Sequence, residues 1–194
     1  MIHQYPIGVT ALDPDEEAGL IPNHIRTIQE LNEWEENNIL EAEKWSLARR
    51  RKDILNISFI KRLHQKMFNQ TWQWAGDFRR SNKSIGVDWP LINIELGILL
   101  EEARYQIENQ VYEIKEIVVR LHHKLVWIHC FANGNGRHAP LMADIVLFNL
   151  GENTFKWGRS KLYAPGLIRE QYLIALRKAD NHDYEALMNF VNQS

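Results

Sequence analysis

One nine-residue segment concentrates the side chains that do chemistry: His129, Cys130, Phe131, Ala132, Asn133, Gly134, Asn135, Gly136 and Arg137. An unperturbed imidazole titrates near about 6.5, so neutral His129 can take a proton from a hydroxyl at neutral pH. Glycines at 134 and 136 open backbone conformations that other residues avoid, which lets consecutive amides face one concavity and hold an anion. The helix that follows adds the positive end of its dipole, and Arg137 adds a permanently charged fork matched to phosphate oxygens. Asn133 can offer an oxygen to a metal ion lying against the phosphates, although a neutral amide is a weaker magnesium ligand than a carboxylate. A base beside an anion hole suits in-line displacement at phosphorus. The same residues also read as a tight turn whose histidine closes a helix over its own carbonyls. No Lys-Ser/Thr pair follows Gly136, which excludes a P-loop NTPase.

Helices must position this segment. Apolar residues recur at three and four from 27 to about 50 (Ile28, Leu31, Trp34 or Glu35, Ile39, Ala42, Trp45), which predicts a long helix. A second runs from 58 to 68 with Ser58 able to cap it. Residues 91–108 and 113–128 carry the same period, and an apolar helix from 141 ends at Gly151, a natural left-handed cap. Pro140 favours a late start for that helix, with Arg137 as the cap. A start at Asn135 would set the proline ring against the Gly136 carbonyl, at a cost of about 3 kcal/mol. Short helices from 166 to 177 and 183 to 192 close the domain. Between 72 and 91, Gly76, Gly86 and Pro90 interrupt short strand-capable pieces, and a small exposed hairpin near 78–88 fits best. Residues 1–26, rich in Pro and Gly, read as an irregular N-terminal arm, with a single domain from 27 to 194 and a core of about 55–180. The fold class is all-α, with about 60% helix.

The chain's 194 residues suffice for one domain, and 45% hydrophobic residues suffice for its core. With 23 Lys plus Arg against 25 Asp plus Glu, the net charge is −2, so no global field recruits nucleic acid or an anionic membrane. One cysteine, Cys130, closes no intrachain disulfide, and the N-terminus has no secretory pattern. The expectation is a cytoplasmic protein with neither nucleic-acid nor membrane partners. His122, His123, His129 and His138 have spacing that does not make a zinc site. Arg49 to Lys52 form a basic knot read as solvated charge at a helix end, and the seven tryptophans read as core.

The string HCFANGNGR resembles the signature of the Fic family, HxFx(D/E)GNGRxxR. The upstream WQWAGDFRRSNKSIGV looks like that family's approach to a flap hairpin, and the helix ending in LVWIH looks like its active-site helix. Nearly the whole chain, including LDPDEEAGLIPNHI and ELNEWEENNILEAEKW, is similar to the bacterial subgroup called mobile mystery protein B. The resemblance implies a Fic-type helical bundle with a small β-hairpin flap that transfers AMP from ATP to a Ser, Thr or Tyr hydroxyl of a target protein. On that implication His129 is the general base and Phe131 anchors the loop. Gly134, Asn135 and Gly136 form the anion hole and Arg137 binds the nucleotide phosphates. Asn133 stands at the Mg2+ position. Lys83, Ser84 and Ile85 belong to a flap that holds the target by strand addition. An antitoxin or other regulatory partner is also implied.

Three positions depart from the signature. Cys130 replaces a proline, Asn133 replaces the acid and weakens magnesium binding, and Pro140 replaces the second arginine, which grips the terminal phosphate. Many relatives carry an inhibitory helix with (S/T)xxxE(G/N), whose glutamate bridges that second arginine. Here NEWEEN at 32–37 is a partial match with Glu36 as the candidate, and its cation would have to be another, such as Arg137. The alternative readings are a catalytically impaired Fic fold that binds a nucleotide or a partner, and a phosphotransferase resembling Doc.

Overall fold

The computed structural model describes residues 12–158, 162 and 166–193. Among them, helices α1 (Pro14–Glu17), α2 (Ile28–Leu47), α3 (Ile57–Phe68), α4 (Ile92–Glu108), α5 (Ile114–Ile128), α6 (Asn135–Leu150), α7 (Leu167–Ala179) and α8 (Glu185–Gln193) pack around a single apolar core, and a short 3-10 turn (Trp89–Leu91) leads into α4. A capping box starts α2, where Thr27 Oγ1 accepts from the Glu30 amide and the Glu30 carboxylate takes the Thr27 amide. The start of α3 is capped by Asn56, whose Oδ1 accepts from the Phe59 amide at 2.8 Å. Asn56 thus does what the sequence suggested for Ser58, and the helix begins one residue before Ser58.

The antiparallel pair α5 and α6 forms the centre. α4 packs on α5, α2 and α3 lie against α6, α8 packs on α5, and α7 packs on α8. In α6 every residue from His138 to Leu147 is buried, which explains its almost unbroken apolar sequence. The segment His129–Gly134 joins the two central helices, so the candidate chemistry sits at the buried centre of the fold.

Two expectations need correction. α6 begins at Asn135 and carries Pro140 inside it, not in its first turn. The early start is fixed by side-chain bonds. Asn135 Oδ1 accepts the Phe131 amide at 2.9 Å while its Nδ2 donates to the Phe131 carbonyl at 2.7 Å, and the His138 amide donates to the Gly134 carbonyl at 2.8 Å. Together these offset the proline's missing bond. The second correction concerns the flap: residues 78–88 form no hairpin. The amides of Arg79 and Val87 donate instead to the carbonyls of Cys130 and Ile128, at 3.0 and 3.3 Å, so the would-be strands pair with the α5–α6 loop and not with each other. The one isolated bridge among the described residues joins Leu20 to Trp72.

Of the N-terminal arm, residues 1–11 lie outside the described residues. The remainder holds the one-turn α1 and is anchored by the Ile21 amide to the Thr71 carbonyl and the Gln73 amide to the Gly19 carbonyl. No described helix is long and apolar enough to cross a membrane.

Candidate active site

His129 closes α5 in the left-handed conformation, φ 55 and ψ 61, which is uncommon for a residue with a Cβ. Arg79 holds it there. Its Nε donates to the His129 carbonyl at 2.7 Å, Nη2 donates to the carbonyls of Ile128 and Val87, and Nη1 donates to the Ser81 carbonyl at 2.8 Å. The buried guanidinium therefore caps the negative end of α5 and ties residues 79–87 over the loop. Burial, followed by the nearby Arg79 charge, pushes the His129 pKa down to about 4. The imidazole is consequently neutral across the physiological range. Gly86, with φ +102, passes so near that an added Cβ would lie 2.7 Å from His129 Cβ.

Four residues beyond His129, the chain turns into α6 through Asn133 and Gly134. Gly134 has φ +80, and an added Cβ would come within 2.5 Å of the Phe68 ring, so no other residue fits this position. Gly136 is different, because it lies within α6 with open space where its Cβ would be. As first residues of the helix, Asn135 and Gly136 point amides along its axis with no carbonyl of a preceding turn behind them. The third expected donor, the Gly134 amide, is engaged by Asn133 Oδ1 at 2.6 Å. That contact also uses the oxygen proposed for magnesium. A neutral side chain turned onto its own loop does not fit a metal anchor, and no group of three or more His, Cys, Asp or Glu capable of holding a metal occurs among the described residues.

Behind the loop stands His64, which the sequence reading passed over. Its Nδ1 accepts the Gly76 amide at 3.0 Å, so in the neutral ring Nε2 carries the proton and donates to the Asn133 carbonyl at 3.0 Å. Burial drives its pKa well below the usual histidine value and keeps this tautomer neutral. The ring stacks on Phe131 at 3.7 Å between centroids. Phe131 and Asn135 together thus fasten the loop to the core.

Arg137 meets Glu35. Its Nη1 lies 2.6 Å from Glu35 Oε2, and the other oxygen of Glu35 accepts from Trp72 Nε1 at 2.6 Å. Glu35 is buried on the face of α2 that carries Leu31, Asn38 and Ala42, whereas Glu36 is exposed. The carboxylate that reaches the loop is therefore one residue earlier than the motif match indicated. Its signal was present in the helical stripe itself, since an acid four residues after Leu31 and seven before Ala42 must face inward. Pro140 is buried in α6 and supplies no cation.

Of the flap candidates, Ser84 and Ile85 are exposed. Lys83 is not. Its ammonium is buried between Asp13 Oδ2 at 2.8 Å and Glu16 Oε2 at 2.5 Å, with Ser81 Oγ donating to the same Asp13 oxygen. These bonds hold the Asp13 carboxyl below its usual pKa. The other three histidines weighed for a metal are structural: His122 lies 3.0 Å from the Tyr172 hydroxyl, His123 pairs with Asp180 at 2.8 Å, and His138 lies 3.1 Å from the Ile60 carbonyl. Burial pushes the Cys130 thiol up to about 12, so it is an inert core residue.

The chain is similar to known proteins. Residues 54–147 match the family model described as Fic/DOC family. Among curated proteins, the chain is 24% identical over 147 residues to a protein adenylyltransferase Fic of Aedes aegypti, covering 72% of this chain and 27% of that protein. A protein of the same name from Drosophila mojavensis is 27% identical over 125 residues, covering 60% and 22% respectively. The chain thus spans about a quarter of the length of these relatives. Among solved structures, the N-terminal Fic domain of a putative cell filamentation protein from Bartonella quintana superposes with a TM-score of 0.71 at 16% identity, covering 91% of this chain and 90% of that one. The BepC protein of Bartonella tribocorum, solved with bound AMPPNP, gives 0.69 at 13% identity, covering 92% and 96%.

Proposed function

We propose, from the premise that this chain carries a Fic/DOC family domain, that it is a protein adenylyltransferase moving AMP from ATP to a hydroxyl side chain of a target protein. The observation that carries the reading is the junction of α5 and α6, where a neutral, buried His129 directly precedes a helix N-terminus bearing Arg137.

The chemistry follows from these groups. His129 accepts the proton of the target hydroxyl, whose oxygen attacks the α-phosphorus of ATP. The bond from that phosphorus to the oxygen leading to the β-phosphate breaks, and pyrophosphate leaves. The amides of Asn135 and Gly136 and the guanidinium of Arg137 stabilise the charge on the phosphate chain. Arg79 and His64 hold the base and the loop at fixed positions, so little reorganisation is needed at the moment of reaction. Asn133, its oxygen taken by the Gly134 amide, does not fit a metal ligand, so the charge on the phosphates falls to the Asn135 and Gly136 amides and Arg137. The target docks along residues 79–88, where Ser84 and Ile85 are exposed.

The Glu35–Arg137 ion pair supports a second reading, a domain held in a nucleotide-excluding state that acts by binding until that contact is released. One experiment separates these readings. ATP labelled at the α-phosphate or at the γ-phosphate is incubated with the protein and a cell extract. Protein-bound α-label that disappears in His129→Ala supports AMP transfer. γ-label would make it a phosphotransferase like Doc, and absence of both with retained ATP binding would favour the binding module.

A further inference from the structure

At the opposite end of α2 from the loop, five cations share one hollow. Arg49, Arg50, Arg51, Lys52 and Arg62 line, with Trp45 and Phe59, a cavity of about 470 Å3 in a chain of net charge −2. Among the described residues none of the five forms an ion pair with a carboxylate. Complementing the negative end of α2 accounts for one of them. Arg51 donates from Nη2 to the Trp45 carbonyl at 2.5 Å and from Nη1 to the carbonyls of Ser46 and Arg49. The other four are surplus to that role and repel one another. Burial and the adjacent Arg49 and Arg62 hold the Arg51 guanidinium below its ordinary pKa.

The hollow is also a built one. The Arg51 amide donates to Asn149 Oδ1 at 2.5 Å, pinning the 48–52 connection to the end of α6. Arg50 reaches that same end, where a Cβ added to Gly151 would come within 3.2 Å of its Nη2. We propose that this hollow is a binding site for a condensed phosphate chain, such as a di- or triphosphate group.

Three features select that ligand class. Guanidinium forks bind phosphate oxygens in bidentate fashion. Convergence of five cations on one hollow favours a ligand of high negative charge density, which linked phosphates provide. Peptide carboxylates each carry a single charge on a separate flexible side chain, so an acidic peptide loses more conformational freedom to present the same charge density. Nucleobase stacking is disfavoured because the Trp45 ring is already covered: Arg51 Cζ stands 4.4 Å from its centroid, Arg62 Cζ 5.4 Å and Lys66 Nζ 5.7 Å. The site is separate from the catalytic loop, since Trp45 lies ten residues beyond Glu35 on α2, about 15 Å along the helix.

Calorimetry with inorganic tripolyphosphate tests the proposal on the full chain. Binding to the wild type is expected to weaken about tenfold in Arg62→Ala and further in the Arg49→Ala/Arg62→Ala pair, while Arg137→Ala leaves this binding event in place. Both substituted residues are exposed, and far-ultraviolet circular dichroism verifies that the variants stay folded. Arg51 is left intact because it caps α2. Comparing tripolyphosphate with ATP in the Arg137→Ala background tells which source of the phosphate chain binds tighter. No saturable binding by the wild type, or binding lost only in Arg137→Ala, would overturn the site. Tighter binding of a single-stranded oligonucleotide lacking a terminal triphosphate would overturn it in favour of a nucleic-acid backbone. Equal affinity for an oligoglutamate peptide would overturn the phosphate assignment.

Discussion

Replacing Glu35 by glutamine tests how the nucleotide loop is governed. The carboxylate touches Arg137 Nη1 and Trp72 Nε1, each at 2.6 Å, from a position 1% exposed. Glutamine keeps the shape and can still accept from Trp72, but it loses the charge that holds Arg137. The Arg137 side chain is 17% exposed and reaches water once released, so the stability cost stays near about 1–2 kcal/mol, below the 3–5 of a fully buried broken pair. For the nucleotide the sign reverses. Phosphate oxygens no longer compete with Glu35 for the guanidinium, and one charge-assisted hydrogen bond of about 1.5–3 kcal/mol becomes available. ATP should therefore bind roughly 10- to 150-fold tighter to Glu35→Gln, as read by titration calorimetry. Glu36→Gln, at an exposed position, should bind like the wild type. Equal affinity in Glu35→Gln and wild type, or an equal gain in Glu36→Gln, would refute the argument that Glu35 governs this arginine.

Three further outcomes are expected. Gly134→Ala should lose at least about 2 kcal/mol of stability, because φ is +80 and its Cβ would meet Phe68 at 2.5 Å, whereas Gly136→Ala should be tolerated; urea unfolding compares the two. Arg79→Leu should cost at least about 3 kcal/mol, since four buried or half-buried carbonyls lose their donor; a loss under about 1 kcal/mol would mean that water replaces it fully. His64, His122, His129 and His138 all have folded pKa values below the unfolded value, so the unfolded chain binds more protons in that interval. Their contribution is complete above about pH 6.5 and is lost as pH falls toward about 4, at up to about 1.4 kcal/mol per pH unit for each histidine; a flat denaturation midpoint over that range would contradict the burial argument.

The long helices were legible because periodicity is a local property: the stripe through Leu31 and Ala42 appears in the sequence as it does in α2. The loop was legible because its residue types are individually unusual. What sequence spacing missed lies in contacts between distant segments. Arg79 reaches His129 across fifty residues, and His64 reaches Asn133 across sixty-nine. Neither has a local signature that distinguishes it from any other arginine or histidine. The flap was misread for the same reason, because strand-capable pieces pair with whichever carbonyls the fold presents, and here those belong to Ile128 and Cys130. The shift from Glu36 to Glu35 is instructive in another way. Counting along a motif gave one residue, while the 100° step of the helix, about one residue's rotation, gave the other.

Asp13 belongs to two structures at once. It is the N-cap of α1, its amide held by the Glu16 carboxylate at 2.8 Å, and it is also the anchor for Ser81 and Lys83. A helix of four residues has little stability of its own, so α1 rests on its tertiary contacts: the Trp74 indole donates to the Glu16 carbonyl, and Ser81 and Lys83 of the loop over His129 bond its Asp13 and Glu16 carboxylates. These bonds couple the two segments, and in native-state hydrogen exchange Lys83→Met is expected to lower the protection of the Glu16, Glu17 and Ala18 amides together with that of Arg79 and Val87.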